Sequence, residues 1–258
     1  MVERTHRLPA LQVPGWDTIP NLVHGFFGRR GGVSRGTFAE LNLSHRVGDA
    51  PESVQENWRR VRDNAGGLRC ARMRQVHGDR VVTIDNTDVD GGEADAMVTC
   101  TVGTAAGVLT ADCVPILLVA PGHHIVAAVH AGWRGTLAGV ARRAVQHIEQ
   151  TFGTKATEVH AALGPSIDGC CYEVDRSIAD ALEQRWGAQS GAVSRNHDRK
   201  PMVDLRRVNT AILEGAGVPP GQIVNVGPCT RCTATVYFSH RAAHGPTGRQ
   251  WSFIGWQA

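Results

Sequence analysis

The 258-residue sequence has no long apolar run, and this absence excludes a membrane-spanning helix. No stretch approaches the roughly 18 consecutive apolar residues that such a helix requires. Residues 1–16 carry several charged side chains and no apolar segment of signal-peptide length, so we expect a cytoplasmic protein with no membrane contact. The hydrophobic fraction of 42% and the charged fraction of 20% are ordinary for a globular chain.

A long basic tract is also missing, and a nucleic-acid partner is therefore not expected. The net charge is only +3 with histidine neutral. The basic residues are scattered, apart from short pairs such as Arg29-Arg30 and Arg59-Arg60. Nucleic-acid-binding proteins usually concentrate such residues on one face or in one segment.

The cysteine pattern does not predict a secreted disulfide framework, because the count of seven is odd and no export signal is present. Reduced thiols, metal ligands or buried small side chains are more typical of such a chain. Cys229 and Cys232 have C-x-x-C spacing, but no second pair with this spacing completes a four-thiolate zinc site. The adjacent Cys170 and Cys171 are expected to be structural.

Strand and helix patterns interleave along the chain and predict an α/β (α+β) fold with a sheet core flanked by helices on both sides. Short apolar runs predict strands at residues 81–84, 107–110, 114–120, 124–129, 159–163, 223–226 and 235–238. Amphipathic patterns and capping residues predict helices at residues 51–64, 136–152, 175–186 and 204–215. No repeat or linker divides the chain, so we expect one domain over residues 1–258, with residues 1–20 as an N-terminal extension.

Two apolar runs flank Pro121-Gly122, and this arrangement predicts a β-hairpin. A turn centred on these two residues places Cys113 opposite His130. Directly opposed residues have Cβ atoms roughly 4.5–5.5 Å apart, a separation at which two side chains can share one zinc ion. A cysteine at the start of a buried strand is also often a small hydrophobic side chain, so the hairpin alone leaves both interpretations open.

His77 is the candidate third ligand, because it lies just before the strand predicted at residues 81–84. His123 and His124 lie at the distal turn, a full strand length from Cys113, and are poorer candidates. Two histidines and one cysteine leave the fourth zinc position open for water or substrate, which is typical of catalytic sites. The predicted zinc ligands are therefore His77, Cys113 and His130.

The residues after His130 predict an anion-binding segment. Gly132 to Thr136 open a predicted helix, and free N–H groups and the dipole at a helix N-terminus attract anions. Arg134 adds a guanidinium suited to bidentate contact with an oxyanion. Phosphate could therefore lie beside the metal; without the metal, a turn with Arg134 in an ion pair is the simpler interpretation.

Several short motifs occur together in a fixed order. They are Gly31-Gly32-Val33-Ser34, Leu41-Asn42-Leu43, Val47-Gly48-Asp49, Gln75-Val76-His77-Gly78, Ala94-Asp95-Ala96, Thr110-Ala111-Asp112-Cys113-Val114-Pro115, Val129-His130-Ala131-Gly132-Trp133-Arg134-Gly135, Leu163-Gly164-Pro165-Ser166-Ile167, Gly227-Pro228-Cys229-Thr230 and Phe238-Ser239-His240-Arg241. With this set, from about residue 26 to 256, the chain closely resembles the YfiH family. Members have been called multicopper polyphenol oxidase, laccase-domain protein, purine nucleoside phosphorylase and peptidoglycan editing factor PgeF.

The resemblance implies a layered α/β/β/α sandwich, also seen in the catalytic domain of cytotoxic necrotizing factor. The family's zinc ligands fall on His77, Cys113 and His130. The implied activity is phosphorolysis of adenosine, inosine and S-methyl-5'-thioadenosine, which gives a free base and a ribose 1-phosphate. Adenosine deamination is also attributed to the family. Peptidoglycan precursor editing is the alternative, and copper-dependent phenol oxidation, on a site loaded with copper, is a further one.

Residue roles and partners follow from this resemblance and from the spacing. The catalytic candidates are Cys113 and Asp112, although alternation along the strand could point Asp112 away from the metal. The substrate-binding candidates are Arg29, Asn42, Gln75 and Arg134. The expected partners are a nucleoside and phosphate, or muropeptide precursors in the alternative function, and we expect a monomer.

Two positions depart from the family pattern. Trp58 follows Glu56-Asn57 where the family usually has arginine, so the role of a basic residue in that helix passes to Arg59 or Arg60 or is lost. Cys232 is an additional thiol relative to many members. Neither departure touches the predicted zinc ligands.

Overall fold

The computed structural model describes residues 8–85, 90–187, 191–196 and 199–258. Its strands are β1 (Ala10–Leu11), β2 (Leu22–Phe27), β3 (Arg69–Cys70), β4 (Arg72–Arg74), β5 (Val81–Thr83), β6 (Asp90–Glu93), β7 (Ala96–Thr99), β8 (Thr104–Thr110), β9 (Val114–Ala120), β10 (Ile125–Ala131), β11 (His160–Leu163), β12 (Val193–Ser194), β13 (Met202–Val203), β14 (Ile223–Asn225) and β15 (Gln250–Trp256). Its helices are α1 (Pro51–Asn64), α2 (Trp133–Ala138), α3 (Val140–Phe152), α4 (Arg176–Trp186), α5 (Leu205–Gly215) and α6 (His240–Ala243). Within these ranges, every helix is too short or too polar to cross a bilayer.

Most strands belong to two sheets. The five-stranded sheet has the order β1-β2-β15-β8-β3, and the six-stranded sheet has the order β14-β11-β9-β10-β7-β5. The β9–β10 hairpin lies at the centre of the larger sheet and pairs antiparallel with β11 on one side and with β7 on the other. Two short ladders, β4–β6 and β12–β13, complete the described pairings.

The side chains of strand β9 contribute to two hydrophobic cores, one on each face of the sheet. All seven of its residues are buried, and successive side chains point to opposite faces of the sheet. Ile116 and Leu118 pack in the core that the helices cover, whereas Leu117 and Val119 pack in the core between the two sheets. A strand buried on both faces therefore appears in the sequence as a continuous apolar run.

The helices cover the outer faces of both sheets. Helices α3 and α5 contribute Val145 and Ile212 to the core on the six-stranded sheet. Helix α1 contributes Val54 and Trp58 to a third core, which lies on the five-stranded sheet and includes Trp251. The predicted α/β/β/α layering is confirmed.

Two predicted elements are wrong. The helix predicted over residues 136–152 begins earlier and is divided into α2 and α3, because Gly139 adopts a left-handed conformation with φ of 88° between them. The strand predicted at residues 235–238 is a turn, in which the N–H of Val236 donates to the carbonyl of Thr233 over 2.8 Å. The pattern also does not predict β2 and β15, the neighbouring strands inside the smaller sheet.

The predicted N-terminal extension is packed from residue 8 onward. Strand β1 pairs with β2, and Val13 and Trp16 are buried in the core between the sheets. Residues 1–7 lie outside the described residues.

Candidate functional site

The hairpin that carries two predicted ligands has a different register from the predicted one. Its loop spans residues 121–124, with a 3-10 turn at Pro121–His123 and His124 in a left-handed conformation. His130 therefore pairs with Pro115, and Cys113 lies just before β9 rather than opposite His130. The shift is two residues, so each side chain stays on the expected face of the sheet.

The structure nevertheless brings together His77, Cys113 and His130, here called the metal triad. Their ligand atoms all lie within 4.8 Å of one another. The two imidazole rings are nearly perpendicular, with centroids 4.8 Å apart. His130 is buried and His77 is exposed, so the triad opens towards solvent on one side. Two imidazoles and a thiol at this spacing fit a zinc ion with an open fourth position.

Asp95 orients the triad from beneath and has no assigned role in the sequence prediction. This fully buried carboxylate accepts a hydrogen bond of 2.8 Å from His130 Nδ1. It also accepts backbone hydrogen bonds of 2.9 Å from His77 and 2.6 Å from Gly78. Because an ionised carboxylate only accepts, Nδ1 carries the proton and Nε2 is left as the ligand atom.

Charge in the metal triad is strongly coupled. Burial opposes ionisation of Cys113, but the charge and hydrogen bonds of His130 and His77 outweigh it and lower the pKa of the thiol to about 6. Burial also opposes protonation of His130, yet Cys113 and Asp95 together raise its pKa to about 9. A divalent metal bound here would need Cys113 as the thiolate and would displace the proton on Nε2 of His130.

Gly132 leaves space for the metal triad. A Cβ atom at this position would lie 3.0 Å from Cys113 Sγ and 3.0 Å from His77 Cδ2. Both distances are shorter than ordinary van der Waals contact, so any side chain here would press on two of the three ligands.

The metal triad forms part of the wall of a cavity of about 720 Å³. Trp58 and Trp251 contribute aromatic surface, and the Arg72 guanidinium lies 5.4 Å from the centroid of the Trp58 ring. The basic lining residues outside the triad are His45, Arg46, Arg72, Arg74, His240 and Arg249. None of the described lining residues is acidic, so the cavity suits an anion.

Two of the predicted substrate-binding residues lie in or beside this cavity. Gln75 lines it, and both ends of its side-chain amide bond the backbone of Leu109 over 2.8 Å. Asn42 is buried behind the wall, where its Oδ1 accepts from the backbone N–H groups of Ser44 and Arg249. Asn42 therefore supports the segment that carries Arg249.

The other two predicted substrate-binding residues lie outside the described cavity lining. Arg29 donates hydrogen bonds of 2.7 Å to the carbonyls of Ala39 and Ala234. Arg134 is exposed and its guanidinium lies 4.4 Å from the centroid of the Trp133 ring. Helix α2, which Arg134 helps to open, has only six residues.

The carboxylate of Asp112 is held behind the metal triad. It accepts hydrogen bonds of 2.6 Å from Thr230 Oγ1 and 2.7 Å from the backbone N–H of Arg241. The residue has a positive φ of 91° at the turn before Cys113. In this position Asp112 is suited to positioning Cys113 rather than to touching a molecule in the cavity, which it does not line.

The cavity residues that sequence reasoning missed come from distant segments. Arg72, His240 and Arg249 lie on β4, at the start of α6 and just before β15. Their spacing in the chain carries no common signal. The one available signal was Asp95, because a histidine bound to a metal usually donates its second ring nitrogen to a carboxylate or a carbonyl.

Comparisons with known proteins match nearly the whole chain. The family model described as "Multi-copper polyphenol oxidoreductase laccase" matches residues 23–257. A purine nucleoside phosphorylase of Deinococcus radiodurans is 39% identical, covering 92% of this chain and 90% of its own. Adenosine deaminase RL5, from an unknown prokaryotic organism, is 37% identical, covering 90% of this chain and 93% of its own. The crystal structure of the hypothetical protein YfiH from Bacillus licheniformis superposes with a TM-score of 0.91 at 29% identity, covering 98% of each chain.

Proposed function

We propose that this chain, which belongs to the YfiH-like family described as multi-copper polyphenol oxidoreductase laccase, is a zinc-dependent purine nucleoside phosphorylase. The proposed substrates are adenosine, inosine and S-methyl-5'-thioadenosine. The observation that carries this proposal is a metal triad opening into a cavity whose described lining has six further basic residues and no acidic one. The name of the Deinococcus radiodurans relative also supports it.

Phosphate is the substrate that the basic lining suits best. Arg249 is half-buried, and its Nη1 donates to the carbonyls of Thr247 and Gly248 over 2.9 Å. These bonds hold the guanidinium in place before any ligand binds. A pre-oriented guanidinium loses little side-chain entropy when it contacts an oxyanion. We therefore assign phosphate to the part of the cavity near Arg249.

The purine and ribose require apolar and aromatic surface. Trp58 and Trp251 line the same cavity as Arg249, with ring centroids 5.3 Å apart. The indole N–H of Trp58 donates to the carbonyl of Leu43 over 2.8 Å, which fixes the ring. A cavity of about 720 Å³ is of the size that small-molecule sites commonly have. The tryptophan at position 58 therefore gives the cavity an aromatic wall.

The reaction breaks the bond between C1' of the ribose and the purine nitrogen, and a phosphate oxygen forms a new bond to C1'. The electron pair of the broken bond stays with the base, which takes up a proton. His45 and His240 line the cavity, and a ring nitrogen of either can hold that proton. Zinc, when held by the metal triad, supplies Lewis-acid stabilisation of negative charge.

The donor set favours zinc over a multicopper centre. Among the described residues two groups have metal-ligand spacing, and only the metal triad contains histidine. A cluster of several copper ions requires many more histidine ligands than these two. A single copper ion in the same three ligands remains an outcome that metal analysis of the isolated protein would reveal.

The test is the release of hypoxanthine from inosine and of adenine from adenosine, measured with and without phosphate. Phosphate-dependent release by zinc-containing protein supports the proposal. In Arg249→Gln, KM for phosphate should rise about tenfold, because one charged contact is lost. Arg35→Gln removes an exposed arginine that does not line the cavity and should leave KM unchanged. Absence of turnover by zinc-replete protein would contradict the proposal and favour peptidoglycan precursor editing.

Adenosine deamination is a second candidate, favoured by the open metal position and by the name of the RL5 relative. It needs water rather than phosphate as the second reactant. Conversion of adenosine to inosine in phosphate-free buffer would support it. If the Arg249→Gln variant retained deamination while losing phosphorolysis, the two activities would share the metal triad and differ in their use of the basic lining.

A further inference from the structure

Four cysteines converge at a second place in the fold, remote in sequence from the metal triad. Cys170 and Cys171 follow β11, and Cys229 and Cys232 follow β14. We call this group the four-cysteine cluster. Its sulfur atoms all lie within 4.8 Å of one another. The adjacent pair and the C-x-x-C pair thus meet, although neither pair by itself indicates a metal site.

The spacing of the sulfurs fits a tetrahedral ion. Zinc bound by four thiolates at about 2.3 Å places its sulfur atoms about 3.8 Å apart. In the structure Cys232 Sγ lies 3.8 Å from Cys170 Sγ and 3.4 Å from Cys171 Sγ. A disulfide requires a separation of about 2.05 Å, and all four cysteines are free thiols here.

A backbone N–H group contacts one sulfur of the four-cysteine cluster. The buried Cys229 Sγ accepts a hydrogen bond of 3.4 Å from the N–H of Asp168. Arg231 also places a guanidinium 3.5 Å from the carbonyl of Cys171. Such N–H donors are the usual outer partners of sulfur ligands.

We propose that Cys170, Cys171, Cys229 and Cys232 bind a second zinc ion as a closed, structural four-thiolate site. Each thiol that joins the ion gives its proton to solvent, and no oxidant or reductant is involved. The four ligands leave no open position for water or substrate. The second zinc therefore has no direct part in catalysis.

The structural task of this second site is to join two segments that support the metal triad. The parallel bridge between Ser166 and Cys229 lies beside the cluster, and the N–H of Thr230 donates to the carbonyl of Ser166 over 2.9 Å. Thr230 also donates to the carboxylate of Asp112, the residue before Cys113. An ion that fixes these segments therefore fixes the support behind Cys113.

The test is the zinc content of protein purified under reducing conditions from zinc-supplemented medium. We expect about two zinc ions per chain in the wild type, about one in Cys232→Ser, about one in Cys113→Ala and about two in the control Cys100→Ser. Cys100 is an exposed free cysteine outside both groups. Wild-type protein with a single zinc that only Cys113→Ala removes would overturn the proposal, as would a disulfide within the cluster in freshly reduced protein.

A second measurement does not depend on the folding of Cys232→Ser. Cys113→Ala retains only the four-cysteine cluster as a complete ligand set. Its X-ray absorption spectrum at the zinc edge should therefore report four sulfur neighbours at about 2.3 Å and no nitrogen neighbour. Nitrogen or oxygen neighbours in that spectrum, or no bound zinc, would contradict the four-thiolate assignment. Because the readout is metal coordination, a failure of the nucleoside phosphorylase proposal would leave it unaffected.

Discussion

The metal triad and the four-cysteine cluster are two metal-ligand groups of opposite character within one chain. The metal triad has mixed nitrogen and sulfur ligands, a buried carboxylate behind it and a cavity of about 720 Å³ in front of it. The four-cysteine cluster has only sulfur ligands, and none of its residues lines that cavity. Three ligands leave room for a reactant, whereas four complete a zinc coordination shell. The contrast supports the proposed division, with chemistry at the first group and stability at the second.

The two groups are nevertheless connected through Asp112. Its carboxylate accepts from Thr230, one residue after Cys229, and the residue itself precedes Cys113. The backbone carbonyl of Asp112 also accepts from the N–H of Ile167, which belongs to the segment before Cys170. Loss of the structural ion should therefore weaken the catalytic site indirectly, by loosening its support.

The largest effect should come from removing a ligand of the metal triad. Cys113→Ala should lower turnover of inosine by more than ~100-fold, because loss of a ligand costs more than loss of an outer partner. The zinc of the four-cysteine cluster should remain. Zinc analysis and the phosphate-dependent assay of both Cys113→Ala and Cys100→Ser test this expectation. If Cys113→Ala kept the zinc content and the inosine turnover of the wild type, the metal triad would not be the catalytic metal site.

The next effect concerns the carboxylate behind the metal triad. Asp95→Asn keeps an oxygen that can accept from backbone N–H groups but removes the negative charge beside His130. We expect a loss of about 10- to 100-fold in zinc affinity at the metal triad. Competition with a chelator measures this zinc affinity. Asp17→Asn serves as the control, because Asp17 is exposed. Unchanged zinc affinity in Asp95→Asn would show that the negative charge of Asp95 does not contribute to zinc binding.

A smaller effect should follow from filling the space beside the ligands. In Gly132→Ala the added Cβ must displace Cys113 Sγ or His77 Cδ2 from 3.0 Å. Such overpacking costs about 1–3 kcal/mol, so zinc affinity should fall about tenfold. Gly122→Ala is the matched control, because a Cβ there meets nothing within 4 Å. Equal zinc affinity in the two variants would mean that the ligands adapt freely.

A difference in thiol reactivity, of similar size, is expected in zinc-free protein. The pKa of Cys113 is lowered to about 6, so its thiolate forms as the pH rises through about 6. An ordinary thiol ionises near pH 8.5, and thiolates of low pKa are intrinsically less nucleophilic. At pH 6 alkylation of Cys113 should therefore exceed that of an ordinary thiol by only about tenfold.

Mass spectrometry of alkylated peptides measures this ratio across pH. Burial raises the pKa of Cys70 to about 12, so Cys70 should remain unmodified and serves as an internal reference. Zinc should protect Cys113 when it is restored. A Cys113 profile that matched that of an ordinary thiol would show that the histidines do not stabilise its thiolate.

Local sequence patterns account for much of the layered fold. The apolar runs of β9 and β10 and the amphipathic pattern of α5 are visible because each residue's burial repeats with the period of its element. Strands β2 and β15 are hidden because Gly25, His24 and Ser252 interrupt their apolar character. Gly139 divides the helix at residues 136–152 through its backbone conformation, which an amphipathic pattern does not report.

The metal triad could be predicted because the hairpin and the family motifs both indicate it. The register within the hairpin could not, since it depends on whether the loop closes with two residues or four. The outcome is unaffected because a shift of two residues retains the face of each strand. Arg134 was a candidate anion ligand because of its guanidinium and its place at a predicted helix N-terminus, and Arg29 was a further candidate. In the structure Arg29 bonds backbone carbonyls and Arg134 lies over an aromatic ring.

Periodicity and motifs within short segments were sufficient to predict the fold class, the hairpin and the three residues of the metal triad. Only the tertiary structure decided that Asp95 lies behind His130, that Arg249 and Trp58 share one cavity, and that two cysteine pairs about 60 residues apart converge. Such contacts arise where separate elements pack against each other. The residues in contact are not related by a helix or strand repeat, so the sequence pattern does not predict the contact.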